Sequence, residues 1–240
     1  SVTRCAMRPR TTRQPNRPQI SRPQTNRKMP DFAIERDCGG RVAGIDEAGR
    51  GPWAGPVVAA AVILPTDLPD GLADGLDDSK KLSAARREHL FDALISCAGI
   101  DYGVGAASVA EIERDNILAA TYTAMRRALH ALDTVPNTAL IDGNRLPPGL
   151  PCPGRTVIKG DSLSLSIAAA SIFAKVTRDR IMTSLSARYP GYHWERNAGY
   201  GTKQHQEGLK ALGVTCHHRR TYAPIAKMLS PGESDKPYVA

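Results

Sequence analysis

The chain has 240 residues, 41% apolar and 23% charged, the balance of a soluble globular domain rather than of a fibrous or fully disordered chain. Its longest apolar run, residues 57–64, is far too short to span a bilayer, and no secretory signal peptide is evident. The net charge of +8 suggests a nucleic-acid-binding surface until it is located: eight of the 32 Lys and Arg lie in residues 1–30, which contain no acid, and the rest of the chain balances 24 bases against 24 acids.

Residues 1–30, rich in Arg, Pro, Gln and Asn, lack the apolar content to fold alone and are expected to be a disordered basic tail. Prolines at 9, 15, 18 and 23 exclude the amphipathic helix of a transit peptide, and Met29 is the expected native start. The five cysteines are scattered and form no C-x-x-C pair, which fits a reducing cytoplasm and suggests neither a disulfide framework nor a zinc finger. Cys216-His217-His218 is rejected as a metal site, because three consecutive side chains rarely face one ion.

From residue 40 the pattern predicts a strand at 42–46, a Gly-Arg-Gly turn and a second strand at 57–64. A polar loop containing "DDSKKLS" leads to a helix capped by Ser83. A third strand is expected near 102–107, a long helix over about 116–132, and then the strands "TALID" and "RTVIK". A long helix over 164–188 follows, in which Ala168 to Ala170, Ile172 and Phe173 read as core, and a last helix covers 203–212. Such an order implies an α/β fold, a mixed sheet covered by helices, in one domain over residues 40–226 with a flexible C-terminal tail at 227–240.

Three of these apolar strands deliver acids: Asp46 and Glu47 after the first, Asp142 after "TALI", and Asp161 just beyond "RTVIK". Functional groups gather at the carboxyl ends of neighbouring strands in open α/β sheets, so these acids can converge. Unshielded, such carboxylates repel strongly; divalent Mg²⁺ or Mn²⁺ would neutralise them, and paired ions would supply the chemistry of phosphodiester displacement. Adjacent strand residues point to opposite faces, so Glu47 joins Asp46 only if the strand bends near Gly49. "GRGPWA" precedes a strand rather than a helix, and "GRTVIKGDS" lacks the glycine before its lysine, which argues against a dinucleotide site and an NTPase loop.

The blocks "GIDEAGRGPWAGPVVAAAVIL", "DDSKKLS", "LIDGN", "KGDSLSLSIAAASIFAKVTRDR" and "NAGYGTKQH", in that order between residues 42 and 224, closely resemble bacterial ribonuclease HII, the type 2 ribonuclease H family. The resemblance implies a ribonuclease H-like five-stranded mixed sheet flanked by helices, with a helical C-terminal extension. It implies that Asp46, Glu47, Asp142 and Asp161 form a catalytic tetrad binding two Mn²⁺ or Mg²⁺ ions. Gly49, Arg50 and Gly51 correspond to the motif that senses the ribose 2′-hydroxyl and the neighbouring phosphate, and Tyr200 to the tyrosine that packs on the next sugar. The implied activity is endonucleolytic cleavage of RNA–DNA hybrids and of ribonucleotide-containing duplex DNA, 5′ of a lone ribonucleotide, by a cytoplasmic monomer that contacts no membrane. A replication clamp is the partner expected at the C-terminal tail. Lys80, Lys81, Lys159, Arg178 and Arg180 are the candidate phosphate contacts, Lys159 foremost because it lies two residues before Asp161. Two other readings stand beside this one: a four-acid DNA exonuclease, and a nucleic-acid-binding module whose acids are structural.

Overall fold

Four helices begin where a hydroxyl side chain accepts a backbone N–H that the first turn leaves unpaired: Ser83 from Arg86, Ser108 from Glu111, Ser164 from Ile167 and Thr202 from His205. The computed structural model describes residues 29–69, 71–76 and 82–230. Lys80, Lys81, the tail at 1–28 and residues 231–240 lie outside them. In chain order the elements are α1 (Ala33–Cys38), β1 (Val42–Ala48), β2 (Val57–Ile63), α2 (Ala84–Ser96), β3 (Asp101–Ala107), α3 (Val109–His130), β4 (Thr138–Asp142), β5 (Gly154–Val157), α4 (Leu165–Arg188), α5 (Trp194–Asn197), α6 (Lys203–Leu212) and α7 (Ala223–Leu229).

The five strands form one mixed sheet in the order β3-β2-β1-β4-β5, with β1 antiparallel to β2 and parallel to β4. Every residue of β2, "VVAAAVI", is buried, because helices cover both faces of the sheet. On one face Ala43, Ile45, Ala59 and Ala61 pack with Ala120, Ala124 and Ala128 of α3. On the other, Ala60 and Val62 pack with Leu90 and Leu94 of α2 and with Ala168 to Ala170, Ile172 and Phe173 of α4. Small side chains on both sides let helix and sheet approach closely. The closest approach is at Gly44, where a Cβ would lie 2.1 Å from the Ser166 carbonyl carbon and 2.2 Å from the Ile167 nitrogen. Helices α5 to α7 surround a smaller core of Ala54, Met182, Tyr192, Trp194, Leu209, Val214 and Ile225, which ties the C-terminal segment to the loop after β1. Among the described residues no helix is long and apolar enough to cross a membrane.

Local differences from the sequence expectation have identifiable causes. Helix α3 starts at Val109 rather than near 116, because Ser108 and Glu111 form a reciprocal capping box. Asn116 is non-helical inside it (φ 70°), and its Oδ1 accepts from the N–H groups of Leu118 and Ala119, so the expected start survives as an internal cap at a kink. Strand β5 ends at Val157, and Lys159 turns the chain in a left-handed conformation (φ 57°). Asp161 therefore sits in a short 3₁₀ turn, Gly160–Ser162, not at a strand end. Helix α7 runs to Leu229, past the expected start of the tail at 227.

Candidate active site

Strands β1 and β4 run in parallel with Ile45 opposite Ile141, both in the α3-side core. One residue further along each strand the side chains switch to the α4 face, and those residues are Asp46 and Asp142. The Asp142 Oδ1 accepts the Gly160 N–H at 2.7 Å, which draws the 3₁₀ turn, and Asp161 with it, against the end of β4. Asp46, Asp142 and Asp161 each present a carboxylate oxygen within 4.8 Å of the other two. Asp46 and Asp161 are only 4% and 7% exposed. At an effective dielectric near 20, each ionised pair at that separation repels by roughly 3 kcal/mol. A set of hard, largely buried oxygen donors fits a divalent cation such as Mg²⁺ or Mn²⁺ and does not suit a soft metal.

Glu47 lies on the opposite face of β1 from Asp46. Strand β1 does not bend before Gly49: Asp46, Glu47 and Ala48 keep register with Ala60, Ala59 and Val58, so the two neighbouring acids face opposite sides of the sheet. Glu47 stays outside the three-acid group and faces Arg50, whose Nη1 is 3.3 Å from its Oε1. It lines one cleft with Asp142, Leu118 and Tyr122 and a second with Ser171, Lys175 and Tyr200, so its carboxylate stands between the two.

The Gly-Arg-Gly turn is held from behind. Gly49 has φ +98°, and a Cβ there would fall 2.0 Å from the Arg178 Nε, so only glycine fits. Arg178 is 1% exposed and donates to the carbonyls of Ala54, Pro56 and Ala198. It is thus no phosphate contact, contrary to the sequence expectation. Its position on α4 aims the guanidinium into the junction between the loop and α5, where burial lowers its pKa to about 10. Arg180 is also engaged otherwise, paired with Glu88 at 2.5 Å and lying 4.4 Å over the Phe91 ring. Lys159 is exposed beside Asp161, as a phosphate contact requires.

Tyr200 follows two left-handed residues, Ala198 and Gly199, and is 48% exposed. Its Cε1 lies 3.5 Å from where a Cβ on Gly51 would stand, so ring and loop form one wall. The Tyr200 carbonyl is 2.9 Å from the His205 Nδ1. His205 Nε2 accepts from Trp194 Nε1 at 3.1 Å and lies 3.0 Å from His218 Nε2, whereas His218 Nδ1 accepts from the Thr215 N–H. These partners require both rings to be neutral, His205 protonated on Nδ1 and His218 on Nε2. Burial, the largest cause, pulls His218 down to about 3 and also lowers His205.

Residues 43–224 match the model of the family Ribonuclease HII. The chain belongs to that family. Ribonuclease HII of Rhodospirillum rubrum is 60% identical over 203 residues, covering 84% of this chain and 93% of that one. The Gluconobacter oxydans protein of the same name is 58% identical over 201 residues, covering 84% and 97%. Among solved structures, ribonuclease H2 from Pyrococcus horikoshii shares the fold with TM-score 0.66 at 30% identity, covering 78% of this chain and 96% of that one. RNase HII of Archaeoglobus fulgidus, solved in a complex with PCNA, gives TM-score 0.62 at 27% identity, with 76% and 95% covered. Membership of the ribonuclease HII family makes the protein a nuclease: a divalent-metal-dependent hydrolase with ribonuclease H endonuclease activity on RNA–DNA hybrids.

Sequence reasoning passed over Ser171 and Lys175 of α4, which line the cleft beside the loop, and Arg219 behind it. Lys175 is bonded to Asp179 at 2.5 Å, and burial holds its ammonium below the usual lysine range. A one-turn spacing from Ser171 to Lys175 to Arg178 would have put all three on one face of the helix. Nothing comparable flags Arg219, whose role depends on a contact 169 residues away in the chain.

Proposed function

We propose that this ribonuclease H cleaves the RNA strand of hybrids and incises duplex DNA 5′ of a single ribonucleotide, leaving 3′-hydroxyl and 5′-phosphate ends, and so serves ribonucleotide removal and RNA primer processing. The observation that carries the reading is the convergence of Asp46, Asp142 and Asp161 within 4.8 Å beside a glycine-flanked arginine. Asp46, Asp142 and Asp161 would hold the divalent cations, and Glu47 would complete the four acids by turning its carboxylate away from Arg50. Two bound Mg²⁺ or Mn²⁺ ions supply charge stabilisation for the attacking and leaving oxygens of an in-line displacement at phosphorus.

The chain's own groups do the selecting. Gly49 and Gly51 allow the backbone to approach a ribose without an intervening Cβ, and the 2′-hydroxyl is the group that separates RNA from DNA. Tyr200, half exposed against Gly51, stacks on the adjoining sugar. Lys159 meets a phosphate near Asp161, with Lys80 and Lys81 proposed as further phosphate contacts. The PCNA complex of the archaeal relative supports a sliding-clamp contact; we assign that contact to the C-terminal segment, and truncation after Leu229 should abolish it.

Cleavage mapping on a duplex with one ribonucleotide, with Mg²⁺, Mn²⁺ or EDTA, tests the main reading. The expected product is a single metal-dependent nick on the 5′ side of the ribonucleotide, lost in Asp46→Asn while the far-UV spectrum is retained. Equal degradation of an all-DNA duplex would favour an exonuclease, and binding without scission a recognition module.

A further inference from the structure

Arg219 is fully buried, yet no acid is among its partners in the described residues. Its Nε donates to Gly55 O at 3.0 Å. Nη1 donates to Arg50 O and to the Tyr222 hydroxyl, both at 2.9 Å, and Nη2 to Gly49 O at 2.6 Å and Gly55 O at 2.8 Å. All five guanidinium donors are thereby used, four of them on carbonyls of the loop 49–55. The Tyr222 hydroxyl donates in turn to Arg50 O at 2.6 Å.

A trans peptide unit points its C=O and N–H in opposite directions. The carbonyl of Gly49 shares a peptide plane with the N–H of Arg50, and the carbonyl of Arg50 with the N–H of Gly51. Pinning both carbonyls inward on Arg219 therefore turns both N–H groups outward, on the side where Glu47, Lys175 and Tyr200 line the cleft. Neither N–H has an acceptor among the described residues. Arg219 and Arg178 also place two buried cations under the turn, neither in an ion pair among the described residues, which biases the cleft toward an anionic ligand.

We propose that Arg219, braced by Tyr222, is the positioning residue that orients the Arg50 and Gly51 N–H groups toward the ribose and so sets the discrimination between ribonucleotide and deoxyribonucleotide. The inference rests on the function proposed above. A lysine at 219 keeps the charge but lacks the planar fork that reaches three carbonyls at once.

The test compares the full-length wild type with Arg219→Lys and Tyr222→Phe. Its substrates are a duplex with one ribonucleotide and the same duplex with a 2′-fluoro nucleotide, which lacks the hydroxyl donor. The readout is the ratio of kcat/KM between the two substrates, with the Mn²⁺-induced rise in melting temperature confirming an intact fold and acid cluster. In Tyr222→Phe the ratio is expected to fall about tenfold, the worth of the hydrogen bond its hydroxyl donates to Arg50 O. In Arg219→Lys it falls about 10²-fold, as for a misplaced reacting group. A merely structural role would slow both substrates alike, and an unchanged ratio in Tyr222→Phe overturns the proposal even if Arg219→Lys fails to fold. A wild type that does not cleave the ribonucleotide substrate at all defeats the underlying functional reading instead.

Discussion

Replacing Asp142 by Asn should make the metal-free protein more stable while removing its response to divalent ions. Among the described residues Asp142 has one hydrogen bond, from the Gly160 N–H to Oδ1, and an Asn carbonyl oxygen can accept it equally well. What changes is charge. With the three carboxylates within 4.8 Å of one another, neutralising Asp142 removes two of the three repulsive pairs, each roughly 3 kcal/mol at an effective dielectric of 20. Asp142 is partly exposed, and solvent and salt screening reduce the total of about 6 to about 3 kcal/mol. For a chain of this size 1 kcal/mol corresponds to about 2–4 °C in Tm, so the variant should melt about 6–12 °C above wild type in EDTA. Wild type, by contrast, should gain about 3 kcal/mol when Mn²⁺ is a hundredfold above its dissociation constant, and the variant much less. Calorimetric melts of both proteins in EDTA and in a Mn²⁺ series give all four values. A variant that melts below wild type in EDTA, or that keeps the full Mn²⁺ shift, would show that the acids are not held together at an electrostatic cost which a cation relieves.

Three further outcomes follow from the packing and the titrating groups. His218 is held neutral, its pKa near 3 when folded against about 6.5 when unfolded. The unfolded chain therefore takes up the proton first, and stability is lost as pH falls below about 6.5, by about 1.4 kcal/mol per unit and about 2 kcal/mol by pH 5. Guanidinium titrations at pH 7 and pH 5 check this, and equal midpoints would contradict the neutral His205–His218 pair. Gly44→Ala would press a methyl group into the Ser166–Ile167 backbone and should cost about 1–3 kcal/mol by chemical denaturation, with reduced cleavage because Asp46 is two residues away on the same strand. Wild-type stability in that variant would mean α4 can retreat freely. Ser108→Ala removes half of the capping box of α3 and should cost about 1 kcal/mol with kcat unchanged, read from the same titrations.

Much of this protein was determined locally and could be read from the chain. The all-apolar β2, the serine cap of α2 and the small-residue face of α4 follow from side-chain chemistry acting over a few residues, so pattern alone places them. Asp46 and Asp142 were legible for the same reason, as acids at or near the ends of apolar strands. What only the tertiary structure decided are relations between distant segments. The parallel register of β1 and β4 sets Asp46 beside Asp142, and the left-handed Lys159 with the Gly160 N–H brings in Asp161 from a turn rather than a strand. Arg178, a phosphate contact by sequence, became a buried prop because its helix aims it at backbone carbonyls. Arg219 carries no sequence signal at all, since hydrogen bonds to carbonyls depend on backbone position and not on the identity of the residues that supply them.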